Sequence, residues 1–254
     1  MKLPAPRAFG LVLAALSLSL AACGNEAASG GEAGSIESTE PIAKIAAPAG
    51  KAWAETVAVS PEGGYVLGNP DAPIKLIEFG ALSCSHCADF SAQGFGKLRD
   101  DYIASGRVSY ELRLFMLNAF DLPAAMLTTC GAPETAIPLA EQFWAWQPNM
   151  FANLQAAGEA QLQAAGQLPP DKRYAAFARL SGMDAFFAER GIAAEQGAAC
   201  LADTEKATQL AAATQTASEK YKVTGTPWFF INGKDVGTQT WASLEPMLQT
   251  AGAR

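Results

Sequence analysis

The stretch IEFGALSCSHCADF, Ile77 to Phe90, places Cys84 and Cys87 on either side of His86, the single histidine of the chain. Its first part belongs to an apolar run, Ile74 to Phe79, dense enough for a buried strand. From Cys84 onward the pattern changes: Phe90, Leu98, Tyr102 and Ile103 recur at roughly helical spacing until Gly106 closes the segment. Two cysteines three residues apart in the first turn of a helix share a face, with Cβ atoms about 5–6 Å apart, so a small adjustment can join them as a disulfide. Cys84 would sit where unpaired N–H groups and the positive end of the helix dipole stabilise a thiolate, and a protonated His86 would add to that. Cys87, one turn in, would be more shielded. The pair therefore reads as a nucleophile and a resolving thiol.

Spacing alone admits other uses. Zinc sites employ the same CxxC, but a structural zinc takes four protein ligands, and no second CxxC and no further histidine follow. A purely structural staple across so short a loop would remove little entropy from the unfolded chain. A metal-delivery protein that uses Cys84, His86 and Cys87 as ligands is the alternative of a different class.

Outward from this stretch, VSYELRLFML (Val108–Leu117) reads as a second strand, which makes Ile74–Leu117 a βαβ unit with parallel strands. From 119 to 222 the chain turns Ala- and Gln-rich, with helix signals and Pro and Gly breaks, and reads as an all-helical insertion. VTGTPWFFINGKDVG then supplies a strand at Trp228–Ile231, an Asn232-Gly233 hairpin turn and a short return strand. A last amphipathic helix sets Trp241, Leu244, Met247 and Leu248 on one face. The expected class is α/β, with the order βαβ, helical block, ββα. Residues 51–118 and 223–254 would form the two parts of one domain.

At the N-terminus, Lys2 and Arg7 precede an uncharged run from Ala8 to Leu20, too short to span a bilayer but suited to a secretory signal over residues 1–22. The run ends in Leu20-Ala21-Ala22-Cys23, which resembles a bacterial lipoprotein box with Cys23 as the acylated residue. Cleavage there would remove Lys2 and Arg7 and no acid, taking the net charge from −7 to −9, which disfavours nucleic acid and anionic headgroups as partners. Residues 24–50 are rich in Gly, Ala, Ser and Glu and would be a flexible tether. The expected location is the periplasm, on a lipid anchor. Of five cysteines, four then remain for thiol chemistry.

IEFGALSCSHC, the Gly225-Thr226-Pro227 step before WFFING, and the helical block between them together resemble the DsbA-like branch of the thioredoxin superfamily, over about Gly64 to Ala253. The resemblance implies a thioredoxin fold with an inserted helical domain and protein-disulfide oxidoreductase activity without a cofactor. It makes Cys84 the attacking cysteine, Cys87 its buried partner, Pro227 a cis-proline opposite the disulfide, and Thr226 the residue whose backbone pairs with an extended substrate. Glu78, six residues before Cys84, matches an acidic residue beneath the active site, able to relay a proton for Cys87 if buried. Arg113, on the second strand, is either a solvated strand charge or a neighbour of Glu78. Some relatives carry an extra disulfide in the helical domain, which Cys130 and Cys200 would form here, as export to an oxidising space favours. The implied partners are exported proteins with free thiols and a quinone-linked membrane reoxidase, the protein itself being a monomer. Ser85-His86 stands where strong oxidases often have Pro-His, and Thr before the cis-proline also occurs in isomerases and reductases, so the redox direction stays open between oxidase and isomerase or reductase.

Overall fold

The computed structural model describes Ser38 and residues 40–254; the expectations for Cys23, for the signal segment and for most of the tether lie outside the described residues. Its centre is a six-stranded mixed sheet. Strands β1 (Val57–Val59), β2 (Tyr65–Gly68) and β3 (Ile74–Gly80) lead into helix α1 (Ser85–Phe90), whose helical backbone runs on in π-type turns to Ile103 and returns as β4 (Val108–Leu114). A block of seven helices follows: α2 (Asp121–Thr128), α3 (Pro133–Ala157), α4 (Glu159–Gly166), α5 (Pro170–Ser181), α6 (Met183–Ala188), α7 (Ala194–Ala202) and α8 (Thr204–Lys220). Strands β5 (Trp228–Ile231) and β6 (Lys234–Gly237) and helix α9 (Trp241–Leu248) complete the chain. The strand order is β1-β2-β4-β3-β5-β6, with β3 and β4 parallel and every other pair antiparallel. This is the expected α/β thioredoxin fold with a helical insertion.

Two strands were not expected from the sequence. The segments Val57–Val59 and Tyr65–Gly68 flank the Pro61-Glu62-Gly63-Gly64 turn and extend the sheet beyond β4. Each is too short to show a period without the neighbour that pairs with it. The strand expected to reach Leu117 stops at Leu114, and the chain leaves the sheet as Met116 N–H turns to Thr214 Oγ1 and Leu117 N–H to the Asp121 carboxylate. Pro138 and Pro148 lie inside α3 without ending it. The helix survives because Ile137, Leu139, Phe143, Trp144 and Met150 bury a continuous apolar face, which outweighs the missing N–H bonds. The end of the expected tether is also held: Ser38 N–H bonds to Thr250 O, Ile42 N–H to Gly252 O and Ile45 N–H to Ser105 O. Gly252 has φ 111°, and a Cβ there would stand 2.8 Å from the Ile42 side chain, so only glycine admits this contact.

Alternation along the central strands separates two faces. Ile77, Phe79, Glu111 and Arg113 face one way, where Phe79 packs with Phe230 and Tyr221 beside α8. Leu76, Glu78, Tyr110 and Leu112 face the other, toward α1, α3 and α9, and lie in the main core. Arg113 pairs with Glu111 at 2.7 Å and Glu62 at 3.5 Å and stacks over Phe79 and Tyr221, on the face away from Glu78.

Candidate active site

Between β3 and α1 the loop Ala81-Leu82-Ser83 brings Cys84 to the N-cap position of α1, where its Sγ accepts the Cys87 N–H at 3.2 Å. Both thiols are free and buried, Cys84 6 % exposed and Cys87 fully enclosed. Across from them the Thr226–Pro227 peptide is cis, and the Cys84 thiol donates to Thr226 O at 3.2 Å. The Thr226 hydroxyl is buried with no hydrogen-bond partner of its own.

These contacts drive the two thiols apart. The Cys84 pKa is lowered to about 6, chiefly by the hydrogen bond from the Cys87 thiol and, against the opposing effect of burial, by the Thr226 side chain and the backbone N–H groups of Cys87 and His86. Cys87 is pushed well above the ordinary thiol range, first by burial, then by its hydrogen bond to Cys84 and by the charges of Glu78 and Cys84. His86 contributes through its backbone; its imidazole is 78 % exposed, with Nδ1 3.7 Å from Asp89.

Glu78 lies fully buried on central β3, with Oε2 accepting the Tyr110 hydroxyl at 2.7 Å and Oε1 without a partner. Burial raises its pKa far above the carboxylate range, and the Glu141 and Cys84 charges add to the rise. The rise favours the neutral form of the carboxyl beneath the dithiol.

The helical block holds the loop in place. Trp144 Nε1 donates to Ala81 O at 2.9 Å, and Gln147 Nε2 donates to Leu82 O at 2.7 Å and Cys84 O at 3.0 Å. The Asp121 carboxylate accepts Ser83 N–H at 2.7 Å and Ser83 Oγ–H at 2.9 Å, together with the N–H groups of Leu117 and Asn118. Three side chains of the insertion thus bond the loop backbone from 81 to 84: the Leu82 carbonyl and the Ser83 N–H depend on them, while the Ala81 and Cys84 carbonyls also accept the backbone N–H groups of Cys84 and Ala88. Sequence reading missed all three, and Tyr110; the only hint is the i, i+3 pairing of Trp144 with Gln147 on α3.

The structure therefore gathers Cys84, Cys87, Glu78 and Thr226 at one spot, with Pro227 beside Thr226 and the His86 side chain at its rim. Cys130 and Cys200 are elsewhere, joined at S–S 2.04 Å between the end of α2 and α7. Among the described residues no group of three or more His, Cys, Asp or Glu side chains is arranged to hold a metal ion, and no helix is long and apolar enough to cross a membrane.

A family model described as thioredoxin matches residues 60–250. The chain belongs to the thioredoxin family, in its DsbA-like branch. A solved structure of a protein named protein-disulfide isomerase, from Novosphingobium aromaticivorans, is 33% identical over 72% of this chain and 94% of its own, with TM-score 0.69. The α-DsbA1 structure of Wolbachia pipientis, 21% identical over 74% of this chain and 90% of its own, shares the fold with TM-score 0.60. A Rickettsia bellii relative, provisionally named a protein-disulfide oxidoreductase, is 27% identical over 190 residues, 75% of this chain; the match spans 65% of that relative's length.

Proposed function

We propose that this DsbA-like protein is an extracytoplasmic thiol:disulfide oxidoreductase that introduces disulfides into exported proteins through Cys84 and Cys87. The observation that carries the reading is the split between an acidic, cap-bonded Cys84 and an enclosed Cys87 held over a buried carboxyl. A substrate thiolate attacks Cys84 Sγ of the oxidised pair. The Cys84–Cys87 bond breaks, a mixed disulfide forms at Cys84, and Cys87 leaves with the electron pair and takes a proton, for which Glu78 is the donor. A second substrate thiolate then attacks its own half of the mixed disulfide and expels Cys84. The low pKa of Cys84 favours this expulsion, since a more acidic thiol leaves faster and a stabilised thiolate favours the reduced enzyme. The substrate gains a disulfide and the enzyme two electrons, which a membrane reoxidase, quinone-linked in the family, would remove. Thr226 and Pro227 would align the substrate backbone beside Cys84.

In this reading Cys23 carries a lipid anchor after removal of residues 1–22, residues 23–50 are a tether in the periplasm, residues 51–118 and 223–254 form the thioredoxin domain around the insertion at 119–222, and the protein works as a monomer. A second reading, isomerase or reductase, is favoured by the isomerase name of the Novosphingobium protein and by Thr226 before the cis-proline. The reduction potential of the Cys84–Cys87 couple in a glutathione buffer separates them. Oxidase action requires a potential near the oxidising end of the thioredoxin-fold range, about −120 mV, whereas one near −270 mV would assign reductase chemistry. Protein isolated without reductant should show few free thiols and no stoichiometric metal; metal bound to free thiols would instead support delivery.

A further inference from the structure

Away from the dithiol, a cavity of 610 Å³ opens between the α1 extension, α3 and the turn before β1, a size at which small organic molecules bind. Its walls are largely apolar, with Val57, Leu67, Phe95, Ile137 and Pro138. Glu141 of α3 lines the same space. Its Oε2 accepts the Ser91 hydroxyl at 2.5 Å, while Oε1 makes no hydrogen bond and no basic side chain stands within ion-pair distance. Arg99, the one base among the lining residues, gives Nε and Nη2 to Asp100 at 2.7 and 3.2 Å. A carboxylate set in apolar walls without a counter-charge is costly to desolvate, and a cation that enters beside it offsets that cost.

The helix face around Glu141 narrows the kind of cation. Glu134, Ile137, Pro138 and Glu141 fall on one face of α3, and all four line the cavity. Two turns of helix set the two acidic residues about 10 Å apart along the axis, with Ile137 and Pro138 between them. Glu134 and Glu55 are exposed, so the lining carries three acids, one deep and two at the rim, against Arg99. A metal ion would need several oxygens gathered around one point. Among the described residues no group of three or more His, Cys, Asp or Glu side chains is arranged in that way. The spacing instead matches a chain of methylenes with an ammonium group at each end, the methylenes resting on Ile137 and Pro138 and the charges on the two carboxylates.

We propose that this cavity is a binding site for a linear aliphatic di- or polyamine, with one ammonium on Glu141, the methylene chain across Ile137 and Pro138, and a second ammonium on Glu134. The Glu141 end carries most of the affinity, because a charge-assisted bond among apolar walls meets little competition from water. The Glu134 end lies in solvent and adds a weaker attraction that salt screens. Burial raises the Glu141 pKa to about 7, against the Ser91 hydrogen bond and the Arg99 charge, and an arriving ammonium favours the ionised carboxylate. The net charge of −7 draws cations toward the chain. Neither thiol lines the cavity, and neither do Asp121, Trp144 and Gln147, so the site is distinct from the dithiol.

Isothermal titration calorimetry of the full-length protein tests the site, with spermidine as the probe and n-butylamine as its counterpart with a single charged end. Wild-type protein should take up one spermidine and bind n-butylamine more weakly. Glu141→Gln, which keeps the shape and an acceptor for Ser91, should weaken both by about tenfold, as loss of a charge-assisted bond predicts. Glu134→Gln should weaken spermidine by about threefold and leave n-butylamine unchanged. Glu134 is exposed, so this variant keeps the test open if Glu141→Gln does not fold. Arg99→Gln should tighten both amines. Absence of saturable spermidine uptake by the wild type would overturn the proposal. Equal spermidine affinity in wild type and Glu141→Gln would do the same, as it marks diffuse attraction to an acidic chain. Uptake of magnesium ion in place of spermidine would overturn the choice of an organic cation, and n-butylamine binding as tightly as spermidine would overturn the second contact.

Discussion

Cys84 and Cys87 lie three residues apart and remain free thiols, whereas Cys130 and Cys200 lie 70 residues apart and are joined. The long-range bond closes a large loop of the unfolded chain, which on the chain-entropy model is where a disulfide gains most. The short-range pair closes almost no loop, so its balance between thiol and disulfide is left to the surroundings of each sulfur. Those surroundings are asymmetric: donors converge on Cys84, while Cys87 is enclosed above a neutral carboxyl. Around the Cys130–Cys200 bond the hydrogen bonds run to Gln196, whose Nε2 donates to Cys130 O at 3.0 Å and whose backbone O lies 3.5 Å from Cys130 Sγ. One pair is built to exchange and the other to stay.

The strongest test of this contrast removes one sulfur at a time. Cys84→Ser should abolish insulin reduction and peptide oxidation, while Cys87→Ser should accumulate mixed disulfides visible on non-reducing gels; retained activity in Cys84→Ser would erase the distinction between the pairs. Replacing Cys130 and Cys200 together by Ala should cost up to about 4 kcal/mol in denaturant unfolding on the loop-entropy model, with the exchange rate at Cys84 unchanged. A fall in exchange rate would show that the two sites are coupled.

A smaller effect is expected where the insertion grips the active-site loop. Gln147→Leu leaves the Leu82 carbonyl buried without its donor and the Cys84 carbonyl with the Ala88 N–H alone, which costs about 1–3 kcal/mol. It should also raise the Cys84 pKa as the cap geometry loosens, a shift that ordinary destabilisation would not produce. The smallest effect concerns His86. Alkylation of reduced Cys84 should be fast above pH 6 and be lost as pH falls through about 6, because the depressed pKa keeps the thiolate populated down to that point. His86→Ala should move that midpoint only slightly, since the imidazole is solvent-exposed and the backbone N–H that helps Cys84 remains. A rise of a full unit would restore the imidazolium role expected from the sequence.

The order of residues was enough for the parts whose physics is local. A CxxC at a strand-to-helix junction, the βαβ order, the Asn232-Gly233 turn and the Ala-rich helical block follow from spacing and propensity within a few residues. The burial of Glu78 was conditional, because an acidic residue on an apolar strand is at an edge or at the centre according to which strands flank it. Placement of β5 beside β3 and β4 on its other side decides for the centre. The loop clamp of Asp121, Trp144 and Gln147 could not be read at all, since it joins residues 38 to 65 positions apart and needs the insertion folded back over the sheet. The Thr226 carbonyl meets Cys84 across 142 residues. Tertiary structure settled these points because burial, and with it the direction of every shifted pKa at the site, depends on which distant segments exclude water together.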